Sequence, residues 1–490
     1  MEKIKRISFT SVCLILIMCL MMTTFTGCKK SSSGDDTSSD ISNESEFIES
    51  SDETDVSDTS SDEGDSPLKP SENNSSATTP SNNQSSTATP STPTQSGSKF
   101  NPYQGIESER GKTVRIFTWW KLTEAEEKVL KDFKAKYGIN YKATYVTKPL
   151  YATQVTSMIA SGKNVPDLIC MDHESFPNPI FKNQLQPITV GKFDIVNDKA
   201  YDLDMMNAVK WKGQYYGVQL KNNTTYQRGT IYFNETLFKE RGVKTPYQYW
   251  KEGNWNWDTL AECAKKMTFT SGGKQCYGLN SDMTFFTYLM ASNNTDFVKN
   301  TGTAIVNNLN DKALLETLNY ISDLKIGGYW DPQEGGTKKL LNRECAMYMD
   351  GSWKMEATSS FGDGVGVAPV PSPKGKQFIQ GVSASVWGIA AGSKNPAAAS
   401  YMIRYWLDGD NFNMEKHIPN PQHREVFNAM NNASKRAVNI AHGVTTYIDS
   451  ENFWYLLSIG TLPKNDIPVA LKERSAMLDG IIKQIMQDAK

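Results

Sequence analysis

The chain has 490 residues, with 52 basic against 54 acidic side chains and a hydrophobic content of 38%. At ~100–200 residues per domain this is room for two to four units, and for more than one buried core. The near balance hides a split, since residues 31–99 carry 14 acids and two lysines whereas 100–490 carry 45 basic and 39 acidic residues; with no Lys/Arg block in the body, a nucleic-acid binder is excluded, because phosphate contacts need clustered cations.

The chain opens on an export signal. Lys3, Lys5 and Arg6 give a positive start, and Val12 to Met22 is an apolar run too short to span a bilayer. Phe25-Thr26-Gly27-Cys28 then resembles a bacterial lipobox. The resemblance implies a signal peptide over 1–27, cleavage before Cys28 and a diacylglycerol on its sulfur. Two acyl chains at ~0.8 kcal/mol per buried CH₂ hold a protein on a membrane where one is marginal. Residues 28–99 follow, acidic first and Ser/Thr/Pro-rich later, with almost no aliphatics. Such a stretch cannot bury enough apolar surface to offset its ordering entropy, so it is expected to be a disordered tether.

From Lys112 strands and helices alternate. Thr113 to Trp119 is a β-rich run, and Thr123 with Glu126 makes a capping box ahead of a helix with Val129, Leu130 and Phe133 inward. Tyr141 to Val146 reads as a strand, Tyr151 to Ser161 as a helix, and Val165 to Met171 as a third strand. This βαβαβ order predicts a parallel sheet with helices on its faces, and an α/β fold class. Ligands of open α/β sheets lie outside the carboxyl ends of the strands. Those ends carry Trp119-Trp120 and Asp172-His173-Glu174. Further strands are expected at Thr230–Asn234, Val365–Val370 and Val386–Ala391. Helical stripes run over Asn256–Met267 and Leu314–Leu324, Pro396 opens a helix to Leu407, and after Asp408 the chain reads as mainly helical.

Enzyme motifs are mostly missing. There is no GxSxG and no HExxH, and His173, His417, His423 and His442 do not pair at ligand spacing. Cys170, Cys263 and Cys345 read as small buried hydrophobes, and a Cys263–Cys276 disulfide stays open for an exported chain. The positive signal is aromatic. With 11 Trp, 21 Tyr and 20 Phe, several tryptophans fall at strand ends or in loops beside charged residues. Indole faces match the apolar C–H faces of sugars, and Asp, Glu, Asn and Lys match their hydroxyl rims.

A series of short motifs in order then resembles the extracellular solute-binding proteins, family 1, of ABC importers, which include the maltose- and oligosaccharide-binding proteins. The motifs are Ile159-Ala160-Ser161-Gly162 with Pro166-Asp167-Leu168-Ile169; Tyr216-Gly217-Val218; Phe233-Asn234-Glu235-Thr236-Leu237-Phe238; Asn256-Trp257-Asp258; Tyr277-Gly278-Leu279; Asp350-Gly351-Ser352-Trp353; and Asn395-Pro396-Ala397-Ala398-Ala399. The resemblance implies a type II periplasmic-binding-protein-like fold, two α/β lobes joined by crossover hinge strands with the ligand in the cleft between them. The expected lobes are 100–220 plus 380–415 and 221–379 plus 416–490. It implies ligand contacts from Asp172, His173, Glu174, Asn222, Asn223, Asp282 (with Phe285 and Phe286), Trp353 and Trp454, and neither a catalytic residue, a metal nor a cofactor; Trp119 and Trp120, from their strand ends, and Trp387 complete the expected ligand site. The expected protein is a monomer on the outer face of a bacterial membrane, anchored through Cys28, passing a sugar to a permease driven by a cytoplasmic ATPase. Ser175 stands where maltose binders carry a basic residue, which argues against assuming maltose. Two alternatives stay open: a cationic or peptide solute, suited to Asp172 and Glu174, and a surface glycoside hydrolase.

Overall fold

The computed structural model describes residues 100–489 apart from 224–226, 334 and 356–363. The signal peptide, Cys28 and the tether expected over 28–99 lie outside the described residues, as does the side chain of Phe285. Among the described residues no helix is long and apolar enough to cross a membrane.

The first sheet begins with β1 (Thr113–Thr118), α1 (Glu124–Tyr137), β2 (Asn140–Tyr145), α2 (Lys148–Ser161), β3 (Leu168–Asp172) and β4 (Leu185–Gln186). The capping box at α1 is made: Thr123 Oγ1 accepts from the Glu126 amide at 3.2 Å and the Glu126 carboxylate accepts from the Thr123 amide at 2.8 Å. Gly138, at φ 69°, ends α1 in the left-handed conformation that glycine adopts without strain. The second sheet is built from β5 (Gly229–Asn234), α3 (Trp257–Lys266), β6 (Leu279–Asn280), α4 (Lys312–Ile326), β7 (Trp330–Asp331), β8 (Met347–Gly351) and β9 (Val365–Pro369). The chain then runs through β10 (Gln380–Ser383) into β11 (Ser385–Ala390), α5 (Pro396–Trp406), α6 (Pro421–Asn431), β12 (Arg436–Asn439), α7 (Ala441–Thr445), α8 (Glu451–Leu457) and α9 (Ile467–Asp488).

The strand order is β2-β1-β3-β11-β4 in the first sheet and β7-β6-β8-β5-β9 in the second. β1 pairs in parallel with β2 and β3, as the βαβαβ pattern predicts, and β11 returns antiparallel to β3. Period-two side chains explain why helices cover both faces. In the first sheet Ile116, Leu168 and Ile389 pack with Leu130 and Phe133 of α1 and Met402 of α5, whereas Phe117, Ile169 and Val386 turn to the other face with Tyr151 and Val155 of α2. In the second, Ile231, Phe233 and Met349 meet Leu260 and Cys263 of α3, and Tyr232, Tyr348 and Val367 meet Val426 and Phe427 of α6. Two α/β lobes result.

The region after Asp408 is mainly helical, as expected, with β12 in it pairing in parallel with β10, a contact between segments too far apart in sequence for local pattern to show. The Cys263–Cys276 bridge does not form. Both thiols are free and buried, Cys263 directed at the Lys244 carbonyl (3.6 Å) and Cys276 at that of Tyr277 (3.7 Å).

Candidate functional site

The site starts from the carboxyl ends of β1 and β3. Trp119 and Trp120 follow directly on β1, their rings edge to face at 4.9 Å. Behind them Trp120 meets Trp387 of β11 at 5.8 Å, and Trp387 tilts onto Trp406 of α5 at 4.8 Å. Trp119 stands edge-on to Tyr151, whose hydroxyl accepts the Cys170 amide at 2.9 Å. These rings hold one another in fixed planes, and each such pair contributes ~0.5–1.5 kcal/mol beyond area burial. The Trp120 indole N–H points at the Glu126 carboxylate, 3.3 Å from both oxygens. The capping residue of α1 therefore also orients an indole of the site.

Opposite stands the end of β8. Gly351 closes the strand and Trp353 follows in a single 3₁₀ turn, 49% exposed. Lys354 lies over its ring at 4.8 Å and pairs with Asp350 at 2.7 Å. Burial raises the Asp350 carboxyl, and the lysine draws it only part of the way back. Between the lobes lies a cleft of about 390 Å³, within the ~300–1,000 Å³ of small-molecule sites. Trp119, Trp120, Trp387 and Cys170 line it from the first lobe, and Ser352 and Trp353 from the second.

Of the expected ligand residues, Trp119, Trp120, Asn223, Trp353 and Trp387 come together on this cleft. Asn223 is buried, donating to Gln219 at 2.7 Å while its carbonyl accepts from Arg228. The others sit elsewhere. Asn222 donates to Asp408 at 2.8 Å. Asp282 accepts the Thr284 amide at 2.8 Å and caps a short turn. Trp454, on α8, is 37% exposed and tilts against Phe453 at 6.1 Å. Asp172, His173 and Glu174 do not border the cleft. They form a cluster beside it, where Lys148 reaches Asp172 at 3.2 Å and Glu174 at 2.7 Å and lies 5.7 Å over the Trp119 ring. Burial alone would raise the Asp172 carboxyl, but Lys148, His173 and the Ser175 hydrogen bond outweigh it and hold it below the usual range. His173 and, across from it, His442 are pushed down by burial, His442 to about 3.

Sequence reasoning missed Glu126, Met355, His417 and Ile418 on the cleft. Glu126 had a signal, but it was the signal of a cap. His417 and Ile418 precede α6 and reach the site only through the folding of α6 onto the second sheet, which no local pattern reports.

The comparisons with known proteins agree on the fold. An ABC substrate-binding protein of Listeria monocytogenes, solved with cycloalternan, superposes with a TM-score of 0.56 at 18% identity, over 76% of this chain and 99% of that one. The galacto-N-biose/lacto-N-biose I-binding protein of an ABC transporter of Bifidobacterium longum, solved with lacto-N-biose, gives 0.58 at 13% over 76% and 98%. A sugar-binding protein of Xanthomonas citri gives 0.58 at 14%, also over 76% and 98%. A search of curated protein sequences returned no match. The model of the bacterial extracellular solute-binding proteins matches residues 119–408, more than half of the chain, and the protein belongs to that family.

Proposed function

We propose that the protein is the membrane-anchored, extracellular receptor of an ABC importer, and that it binds a carbohydrate, most simply an oligosaccharide, in the cleft between the lobes. The observation that carries the reading is the indole lining: Trp119, Trp120 and Trp387 on one wall and Trp353 on the other. Sugar rings present C–H faces to such surfaces, and a solute held from both walls favours the closed form by its differential affinity. Micromolar binding needs about -8 kcal/mol. Stacked rings together with charge-assisted hydrogen bonds at ~1.5–3 kcal/mol each are of the right size. Solved proteins of the same fold that hold cycloalternan and lacto-N-biose support the solute class. Anchoring through Cys28, delivery to a permease, action as a monomer and the lobe limits 100–220 plus 380–415 and 221–379 plus 416–490 belong to the same proposal.

The test is intrinsic tryptophan fluorescence of the purified protein against a panel of oligosaccharides. At least one glycan is expected to shift the emission saturably, and Trp353→Ala to weaken that glycan by about tenfold or more, since ~1.4 kcal/mol is a factor of ten. Silence across the panel would remove the sugar reading.

One observation favours a second solute class. The Glu126 carboxylate lies on the cleft among indole rings, and aromatic walls with a carboxylate recognise organic cations. Competition of the glycan signal by a quaternary ammonium would support that reading. Hydrolysis by paired acids needs two carboxylates facing one bond; among the described residues Glu126 is the acid on the cleft.

A further inference from the structure

Outside the cleft, the turn after β3 meets the first turn of α7. Gly443 donates its amide to the His173 carbonyl at 2.7 Å. A Cβ at Gly443 would fall 1.9 Å from the Phe176 carbonyl oxygen and 2.9 Å from that of His173, so glycine is what lets the two backbones touch. The contact sets the His173 and His442 rings 5.3 Å apart, inclined at 61°. His442 stacks flat on Phe453, 4.0 Å away at 9°, which fixes its plane. Glu174 completes the group, one oxygen 3.7 Å from His173 Nε2. One potential donor atom from each of the three side chains lies within 4.8 Å of the other two. The Nδ1 atoms of both histidines are buried without a hydrogen-bond partner among the described residues. Buried polar atoms nearly always have partners, so two unpartnered ring nitrogens, one on each histidine of this cluster, leave coordinating capacity unused.

We propose that His173, Glu174 and His442 bind a divalent transition metal of the zinc class, at a site beside the solute cleft and separate from it. Two imidazoles and a carboxylate suit Zn(II), Ni(II) or Cu(II), whereas Ca(II) and Mg(II) prefer all-oxygen shells. Charge agrees: Asp172 and Glu174 face one lysine, Lys148, so the surroundings carry one net negative charge. Lys148 holds Oε1 of Glu174 at 2.7 Å, the same oxygen that lies 3.7 Å from His173 Nε2, so a metal would share this carboxylate with the lysine or displace it. Zinc ligands at ~2.0–2.1 Å in a tetrahedron stand about 3.3 Å apart. The site therefore tightens on binding, through rotation of the exposed Glu174 side chain and the half-buried His173 ring. With three protein ligands a fourth position stays open. The bound ion would tie the turn after β3 to α7 across segments far apart in sequence, which is why histidine spacing in the chain does not reveal the site.

The experiment uses protein free of any polyhistidine tag and stripped with a chelator. Co(II) is titrated and followed by visible absorption, then displaced by Zn(II), and thermal denaturation is recorded with and without Zn(II). One Co(II) per chain and a Zn(II)-dependent rise in melting temperature are expected, because a ion that binds the native state stabilises it by mass action. His442→Gln and Glu174→Gln are each expected to weaken Co(II) by about tenfold or more, with circular dichroism unchanged. Glu174 is exposed, so its variant keeps the test decisive if the histidine variant folds poorly. Absence of saturable Co(II) uptake, or uptake that both variants leave intact, would overturn the proposal. The glycan response is a separate readout, so either proposal can fail alone.

Discussion

The reach of Trp353 over the cleft depends on the residue two places before it. Gly351 has φ -81°, a value any residue adopts, yet a Cβ there would lie 2.6 Å from Cδ1 of the Trp353 ring. Gly351→Ala therefore leaves β8 intact and displaces the indole. The expected outcome is glycan affinity lower by about tenfold, with a melting temperature within a few degrees of the parent, read by titration calorimetry and a thermal scan. Equal affinity would show that the ring's position does not matter to binding. At this scale the legible residues were those whose place follows from strand order. Trp119 and Trp120 were expected at the cleft because a βαβαβ unit sends the residue after β1 to the carboxyl edge, and they are there. Asp172, His173 and Glu174 end β3 by the same rule, but Lys148 at the start of α2 holds both acids beside the cleft. A cross-element ion pair of this kind has no signature in the sequence.

Among the elements, α7 depends on a carboxylate from another part of the chain. Asp296 accepts the amides of Ile440 at 2.8 Å and Ala441 at 3.1 Å, and that of Phe297 at 2.7 Å. Burial nevertheless pushes its carboxyl up to about 7, against the pull of these amides. The sign follows: an acid whose pKa is raised on folding binds more protons in the native state, so its contribution to stability falls as pH rises from about 4 to about 7 and is flat above. Its slope is at most about 1.4 kcal/mol per pH unit. Urea unfolding of the parent and of Asp296→Asn at several pH values between these limits is expected to show the parent gaining stability relative to the variant as the pH is lowered. A constant difference would show that Asp296 is ionised throughout. The elements themselves were largely legible. α1 came from its capping box and apolar stripe, and β5, β9 and β11 from short β-rich runs, each within a few residues of the observed limits. β12 was not, because Arg436-Ala437-Val438-Asn439 is four residues long, half-exposed at its middle, and pairs with β10 only once both lobes exist.

For the whole molecule, two sheets with a cleft between them were predicted by a chain of weak motifs more than by any single one, and the fold bears that out. On the reading proposed above, the protein works by closing on its solute. If the solute is gripped from both walls, the closed form gains population in proportion to the extra contacts it makes. Small-angle scattering is expected to give a smaller radius of gyration with saturating glycan than without. Superimposable curves, alongside a saturable fluorescence change, would mean that the sugar is held by one wall alone.

β11 sits between β3 and β4, and Gln186 of β4 donates to the Ala390 carbonyl 204 residues later. A ribosome thus finishes the whole second sheet before it supplies the strand that completes the first. Until then β3 has a bare hydrogen-bonding flank, and the nascent cleft lacks its Trp387 floor. Exposed strand flanks invite pairing with other chains. The first sheet stays incomplete until residues 385–390 emerge, so a chain cut short before residue 385 is expected to be prone to aggregation.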